Sequence, residues 1–242
     1  MRAVVAHFER RFTALGTEAR AEGSKAYMKS ALRFHGVDAK QMRDECKAYC
    51  AAHELTHDQL VAEVAALFAT DGFDLRTVAI ALLERNTTLL VAADLPWLVE
   101  LARAGACWAH VDYLVTQAIG PVLERETSIA RHVRRWAKDD DFWIRRVALL
   151  AQLRPLRRGS GDFALFAEIA APMLAEKEFF IRKAIGWVLR EVSKQRPQLV
   201  GAFLREHATA CSGVTWREAI KYLPATLRRE VERLRTVEKP RR

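Results

Sequence analysis

The chain is predicted to be all-α, built from stacked helix pairs, on three observations. Apolar residues fall at i, i+3, i+4 and i+7 in LVAEVAALF (60–68), LRTVAIALLER (75–85), LPWLVELARAG (95–105) and IRKAIGWVLREVSK (181–194). Gly (11) and Pro (7) are sparse in 242 residues, and no alternating runs or hairpin dipeptides stand out. A similar segment also recurs: LRTVAIALL from 75, IRRVALLAQL from 144, IRKAIGWVL from 181 and WREAIKYL from 216.

The elements follow in order. Short polar breaks at 70–73 (TDGF), 92–96 (AADLP), 139–142 (DDDF), 157–161 (RRGSG) and 195–197 (QRP) end one helix and start the next. The recurrent segments lie roughly 34 to 37 residues apart once a divergent copy is placed at 109, within WAHVDYLV, which is the spacing of paired helices in a solenoid. The DGFDLRTV and DDDFWIRR openings are closer to HEAT repeats than to tetratricopeptide or ankyrin repeats. The expected fold is therefore a HEAT-like α-solenoid of about six or seven stacked helix pairs with a concave basic groove. One domain over 1–236 is expected, followed by a basic C-terminal tail at 237–242. The Asp-rich turns suit helix N-termini, where they meet exposed amides. The recurrent Arg76, Arg145, Arg182 and Arg217 are read first as structural, each reaching a neighbouring turn's carboxylate or carbonyls.

Composition narrows the functional classes. Half the residues are hydrophobic and 29% are charged, an ordinary globular balance. Thirty-nine Lys and Arg against 30 Asp and Glu leave a net charge of +9, which suits a polyanionic partner such as nucleic acid. Charges interrupt the N-terminal apolar run too early for a secretory signal, and no apolar stretch reaches membrane-spanning length. Four cysteines make no disulfide framework, so a cytoplasmic, reducing location is expected.

His53-Glu54-Leu55-Thr56-His57 matches the HExxH pattern, which binds zinc only if both histidines share one helix. Thr56 with Gln59 reads instead as a capping box, placing a helix start inside the motif. Cys46 and Cys50 add ligands on paper, but a continuous helix from 46 to 57 spans about 16 Å, too far for one tetrahedral ion. A polar connection between helices is the expected role, with no metal and no other cofactor.

Three stripes carry the chemistry. Trp108 and Asp112 are i, i+4; Trp143 and Arg146 are i, i+3; Lys183, Trp187 and Arg190 form the third. In the repeat register they fall on successive layers. A buried Asp or Arg needs a partner, so Trp beside charge is unusual for a packed core and favours a groove, although by spacing alone Trp in HEAT helices is more often core. Between 131 and 158, nine Lys and Arg face three acids, a density suited to a phosphate backbone.

At these residues the sequence resembles the AlkD family of DNA alkylation repair glycosylases, over most of the chain. EFFIRKAIGWVLREVSK (178–194) is nearly the family's own segment, with Trp187 in its tryptophan position. WAHVD (108–112) matches Trp-x-x-Val-Asp, and FWIRR (142–146) ends on the family's arginine. YMKSALRFHGV (27–37) and REAIKYL (217–223) match terminal segments. Cys107 and Ala109 depart from a Trp and an Asp common there, and His110 sits between Ala109 and Val111.

The resemblance implies hydrolytic release of N3- or N7-alkylated purines from duplex DNA by a monofunctional glycosylase acting as a monomer. Asp112, Trp108, Arg146 and Trp187 are its implied active-site residues. Tyr27, Trp143, Lys183, Arg190, Arg217 and Lys221 are candidate DNA contacts. An alkylated purine is already cationic and leaves neutral, so a carboxylate that stabilises an oxocarbenium-like sugar is the group this chemistry needs. The competing expectation is a noncatalytic relative that binds distorted or branched DNA without releasing a base.

Overall fold

Helices of the recurrent kind begin at residues 73, 108, 142, 179 and 213, so successive starts are 35, 34, 37 and 34 residues apart. This spacing, in a computed structural model of the chain, is the one read from the sequence. The structure describes residues 3–126 and 128–238, and within them it is all-helical apart from connections and an isolated β-bridge between Arg33 and Gly72. The chain divides into two compact units, Met1–Arg125 and Glu126–Arg242.

The first unit runs α1 (Ala3–Leu15), α2 (Glu18–Met28), α3 (Ala39–Ala52), α4 (His57–Phe68), α5 (Phe73–Arg85), α6 (Leu95–Gly105), α7 (Trp108–Leu114) and α8 (Gly120–Glu124). α5 is apolar on nearly every side, and it buries Leu75, Val78, Ile80, Leu82 and Leu83 against α3, α4 and α7. A helix of that composition is a core element by necessity. The bridge pins the segment after α2 to the start of α5: Arg33 N donates to Asp71 O, Phe73 N donates to Arg33 O, and Phe34 stacks on Phe73 at 4.4 Å.

The second unit runs α9 (Ile129–Trp136), α10 (Phe142–Leu150), α11 (Leu153–Arg157), α12 (Phe163–Met173), α13 (Phe179–Ser193), α14 (Pro197–Glu206), α15 (Gly213–Ala219) and α16 (Ala225–Glu238). Its centre is α13, which buries Ile181, Ile185, Val188, Leu189 and Val192 and packs on α10, α11, α14 and α15. Gly186 permits the approach of α15: a Cβ there would stand 2.7 Å from Glu218 Cβ and 3.1 Å from Thr215 Cα. The tail expected at 237–242 joins α16 at its first two positions, and residues 239–242 lie outside the described residues.

The recurrent arginines are structural at three of four positions. Arg76 donates to the carbonyl of Thr70, Arg145 to that of Asp139 and Arg182 to that of Glu176, each six residues back. Arg76 also reaches Ala104 O, and Arg145 also grips the Glu176 carboxylate at 2.9 and 3.0 Å. The same side chain thus closes its own turn and, at Arg76 and Arg145, touches the next layer. Arg217 breaks the pattern. Its equivalent carbonyl, Cys211 O, accepts from Arg235, whose guanidinium lies 4.4 Å over the Trp216 ring, and Arg217 is exposed.

Candidate functional site

α7 is short because the backbone on both sides of it is irregular. α6 ends at Ala106, which takes a left-handed conformation (φ 39) without being glycine, and Cys107 follows as an N-cap with no side-chain hydrogen bond. After Leu114 the chain widens into a π turn over Val115–Ile119 before α8. Pro121 has no N–H to continue an α ladder and its ring crowds the preceding turn, which accounts for the widening. Thr116 Oγ1 donates to Asp112 O at 2.7 Å inside this stretch.

α7 buries Val111 and Leu114 and leaves Trp108 and Asp112, one turn apart, half-buried on its other side. The Asp112 carboxylate therefore lies outside the dry core. Tyr27, 71% exposed on α2, meets the Trp108 ring edge-on at 6.0 Å. Of the departures seen in the sequence, Cys107 and His110 turn inward and Ala109 stays half-buried. Cys107 is buried, which pushes its thiol up. His110 is buried 4.3 Å from the Phe73 ring, its Nε2 lying 3.2 Å from Phe73 O and 3.1 Å from Thr77 Oγ1. Burial pushes His110 down to about 4, so the ring is neutral at pH 7.

In the second unit, Asp141 caps α10 by accepting from Trp143 N at 2.8 Å. Arg146 is 2% exposed, donates to Phe180 O and lies 5.8 Å over the Phe180 ring. Trp143 is buried beside it, 4.5 Å from Phe142 and 4.9 Å from Phe180, so its indole packs inside the unit. Trp187 is half-buried on α13, next to Gly186. Lys183 and Arg190 both bond Glu218 on α15, Lys183 at 2.5 Å. Lys221 lies 5.7 Å from the exposed Tyr222 ring, over which Lys194 also stands at 5.0 Å.

Sequence reasoning missed two carboxylates that organise these cations. Glu218 receives Lys183 and Arg190, whose counter-charges hold its carboxyl below the usual range despite burial. Glu191 gathers Lys194, Arg157 and Arg190 and is lowered by them in the same way. The available signal was spacing, since Glu218 lies 35 residues after Lys183, one repeat on.

The HExxH residues separate as the capping box requires. Thr56 Oγ1 accepts from Gln59 N and Gln59 Oε1 accepts from Thr56 N, which starts α4 inside the motif. His53 stacks on Tyr49, its Nδ1 2.9 Å from Tyr49 O, while His57 Nε2 lies 3.0 Å from Asp94. Among the described residues, no group of three or more His, Cys, Asp or Glu could hold a metal ion, and no helix is long and apolar enough to cross a membrane.

A half-buried carboxylate beside an indole can stabilise a developing cation, and basic helices can hold a polyanion. The sequence matches the family of DNA alkylation repair enzymes over residues 8–223. The chain belongs to the DNA alkylation repair enzyme family. It is also similar to a solved structure described as a predicted DNA alkylation repair enzyme from Enterococcus faecalis, with 27% identity and a TM-score of 0.80 over 87% of this chain and 97% of that one. Comparison with curated proteins gives no match. As a DNA alkylation repair enzyme, the chain has a role in the repair of alkylated DNA, which makes DNA its partner.

Proposed function

We propose that this DNA alkylation repair enzyme is a monofunctional glycosylase that hydrolyses the N-glycosidic bond of N3- or N7-alkylated purines in duplex DNA. The observation that carries this reading is the placement of Asp112: half-buried, one turn from Trp108, on a helix set off by irregular backbone. The alkylated base leaves as a neutral molecule, so no general acid is required. The barrier lies in the positive charge developing on deoxyribose, which Asp112 stabilises while orienting the attacking water.

Trp108 and Trp187 add cation–π attraction of about 0.5–2 kcal/mol each. Arg146, buried against Phe180, is carried into the active-site set by the family resemblance alone. Tyr27 supports the Trp108 ring and presents its own exposed face to DNA, and Trp143 acts by packing Arg146 in place. Lys183, Arg190, Arg217 and Lys221 contact the DNA backbone, with Arg217 as the most accessible cation on α15. The enzyme acts as a monomer, in the cytoplasm, without metal or cofactor.

The test is release of free base from duplex DNA carrying N7-methylguanine or N3-methyladenine. The expected result is release that survives EDTA and is lost in Asp112→Asn. Binding to the methylated duplex without release by the wild-type protein would instead make it a noncatalytic DNA-binding relative.

A further inference from the structure

One face of α13 carries Lys183, Trp187, Arg190 and Lys194 at i, i+4, i+7 and i+11, and Lys194 keeps helical backbone as the C-cap. The stripe runs about 16 Å along the helix axis. At its far end the turn after α15 adds a second element. Ile220 and Leu223 are buried there, and Leu223 N donates to Ile220 O. The turn is thereby fixed with Lys221 and Tyr222 facing outward.

Tyr222 is 48% exposed, and two ammonium groups stand over its ring. Lys194 arrives from α13 at 5.0 Å from the ring centroid, and Lys221 from the same turn at 5.7 Å.

Charge at this corner is unbalanced. Lys194 bonds Glu191 at 2.8 Å, but the same carboxylate also receives Arg157 at 3.0 Å and Arg190 at 3.5 Å. Glu218, the other carboxylate of the stripe, is taken by Lys183 and Arg190. Lys183, Arg190, Lys194, Arg157 and Lys221 thus stand around two carboxylates. Like charges gathered on a surface repel one another, and a polyanion laid along them relieves the repulsion.

The ring contributes geometry rather than charge. A lysine stem is flexible and loses rotamer freedom when its ammonium settles on a phosphate. A ring that already attracts the ammonium reduces that loss.

We infer that Lys194 and Lys221 form a DNA-backbone anchor at the end of the α13 stripe, with Tyr222 as the positioning group that gathers both ammonium groups toward one stretch of phosphodiester. The anchor rests on the reading of α13 as a DNA-facing helix, to which it adds Lys194 and Tyr222. It does not rest on base release.

Binding to an undamaged duplex, followed by fluorescence anisotropy at several salt concentrations, reads the anchor without any chemistry. Lys194→Gln should lower the slope of log affinity against log salt by about 1, the loss of one phosphate contact. Tyr222→Ala keeps both charges, so it should leave the slope unchanged and weaken binding about two- to fivefold. Tyr222→Phe keeps the ring and should bind as the wild type does. Arg205→Ala removes a comparably exposed cation from α14 and should leave the slope unchanged. A slope indifferent to Lys194→Gln, an affinity indifferent to Tyr222→Ala, or an equal slope change in Arg205→Ala overturns the anchor. Lys221→Gln supplies the same slope test if Lys194→Gln fails to fold. A wild-type protein that shows these slopes without releasing base keeps the anchor and loses the glycosylase reading, and release without these slopes does the reverse.

Discussion

The second unit and the α7 region of the first hold their charged residues by different means. In the second unit, side chains do the holding. Asp141, Asp162, Glu178 and Ser212 cap four helix starts, Arg145 is clamped by two carbonyls and Glu176, and Glu218 and Glu191 bind the cations of α13. In the first, the helix carrying Asp112 has no side-chain cap, follows a left-handed alanine and ends in a π turn. Cations are thus presented by regular, tied elements and the carboxylate by irregular backbone. Exposed ion pairs contribute only about 0–1 kcal/mol each, so the ties in the second unit act mainly on orientation. Irregular segments flanking a site are where local rules are given up for function.

Substituting Asp112 and Arg146 separates these two modes most strongly. Asp112→Asn should lower base release about 10²- to 10³-fold with little change in thermal midpoint, because the side chain is half-buried and the amide is nearly isosteric. Arg146→Ala should lower release and also destabilise the protein by about 2–4 kcal/mol, since it empties a buried site and leaves Phe180 O without this donor. Single-turnover rates beside urea denaturation read both. Equal effects of the two substitutions on stability would remove the distinction.

The next effect lies within the first unit, where two buried histidines are shifted in opposite directions. His110 is depressed to about 4 by burial. Its folded form resists the proton that the unfolded chain takes up near 6.5. Stability therefore falls as pH drops from about 6.5 toward 4, by about 3 kcal/mol in all. His35 is opposed by burial but raised overall by Asp74 and Glu9, the latter at 2.8 Å. Its contribution is full below the unfolded value and is lost as pH rises through the folded one. His110→Gln should flatten the acid limb of a urea-midpoint-against-pH curve. His35→Gln should lower stability at low pH and flatten the loss that sets in as pH rises above about 6.5.

A smaller effect tests the clamps themselves. Arg145→Ala should destabilise by about 1–3 kcal/mol, because the carbonyls of Asp139 and Asp140 and the carboxylate of Glu176 all lose a donor. Arg145→Lys should recover only part of this, since an ammonium cannot reproduce the two-pronged contact.

Much of the fold was legible because its signals are local and repeated. The polar breaks at 70–73, 139–142, 157–161 and 195–197 each mark a helix boundary, sharing one residue with the adjoining helix, whereas 92–96 forms a short 3-10 turn that runs into α6. The Thr56–Gln59 capping box forms as read. The structural role of Arg76, Arg145 and Arg182 was also legible, since the same residue at the same place in each repeat has the same carbonyl in reach. The π turn after α7 was not, because VDYLVTQAIGPVL reads as unbroken helix until the consequence of Pro121 is felt upstream. Nor was the burial of Trp143, whose i, i+3 relation to Arg146 fixes a shared face but not which face. Glu218, the shared partner of Lys183 and Arg190, lies 35 and 28 residues further on, where a composition count sees only net charge.

Arg217 brings the comparison down to a single residue type. By repeat position it should close its own turn as Arg145 does, yet Arg235 occupies the carbonyl of Cys211 and stacks on Trp216. Arg217 is left exposed, which makes its charge the most accessible of the recurrent series to a ligand. Arg217→Ala should therefore change stability by less than about 0.5 kcal/mol, the ordinary range for a surface substitution. It should weaken binding to duplex DNA uniformly across sequences and reduce the slope of log affinity against log salt by about 1, the signature of one lost phosphate contact. Arg145→Ala should show the opposite pattern, with the greater loss of stability of the two and an unchanged slope. Titrations at several salt concentrations beside thermal melts separate them. A salt slope indifferent to Arg217 would mean that leaving the clamp had not turned this arginine toward DNA.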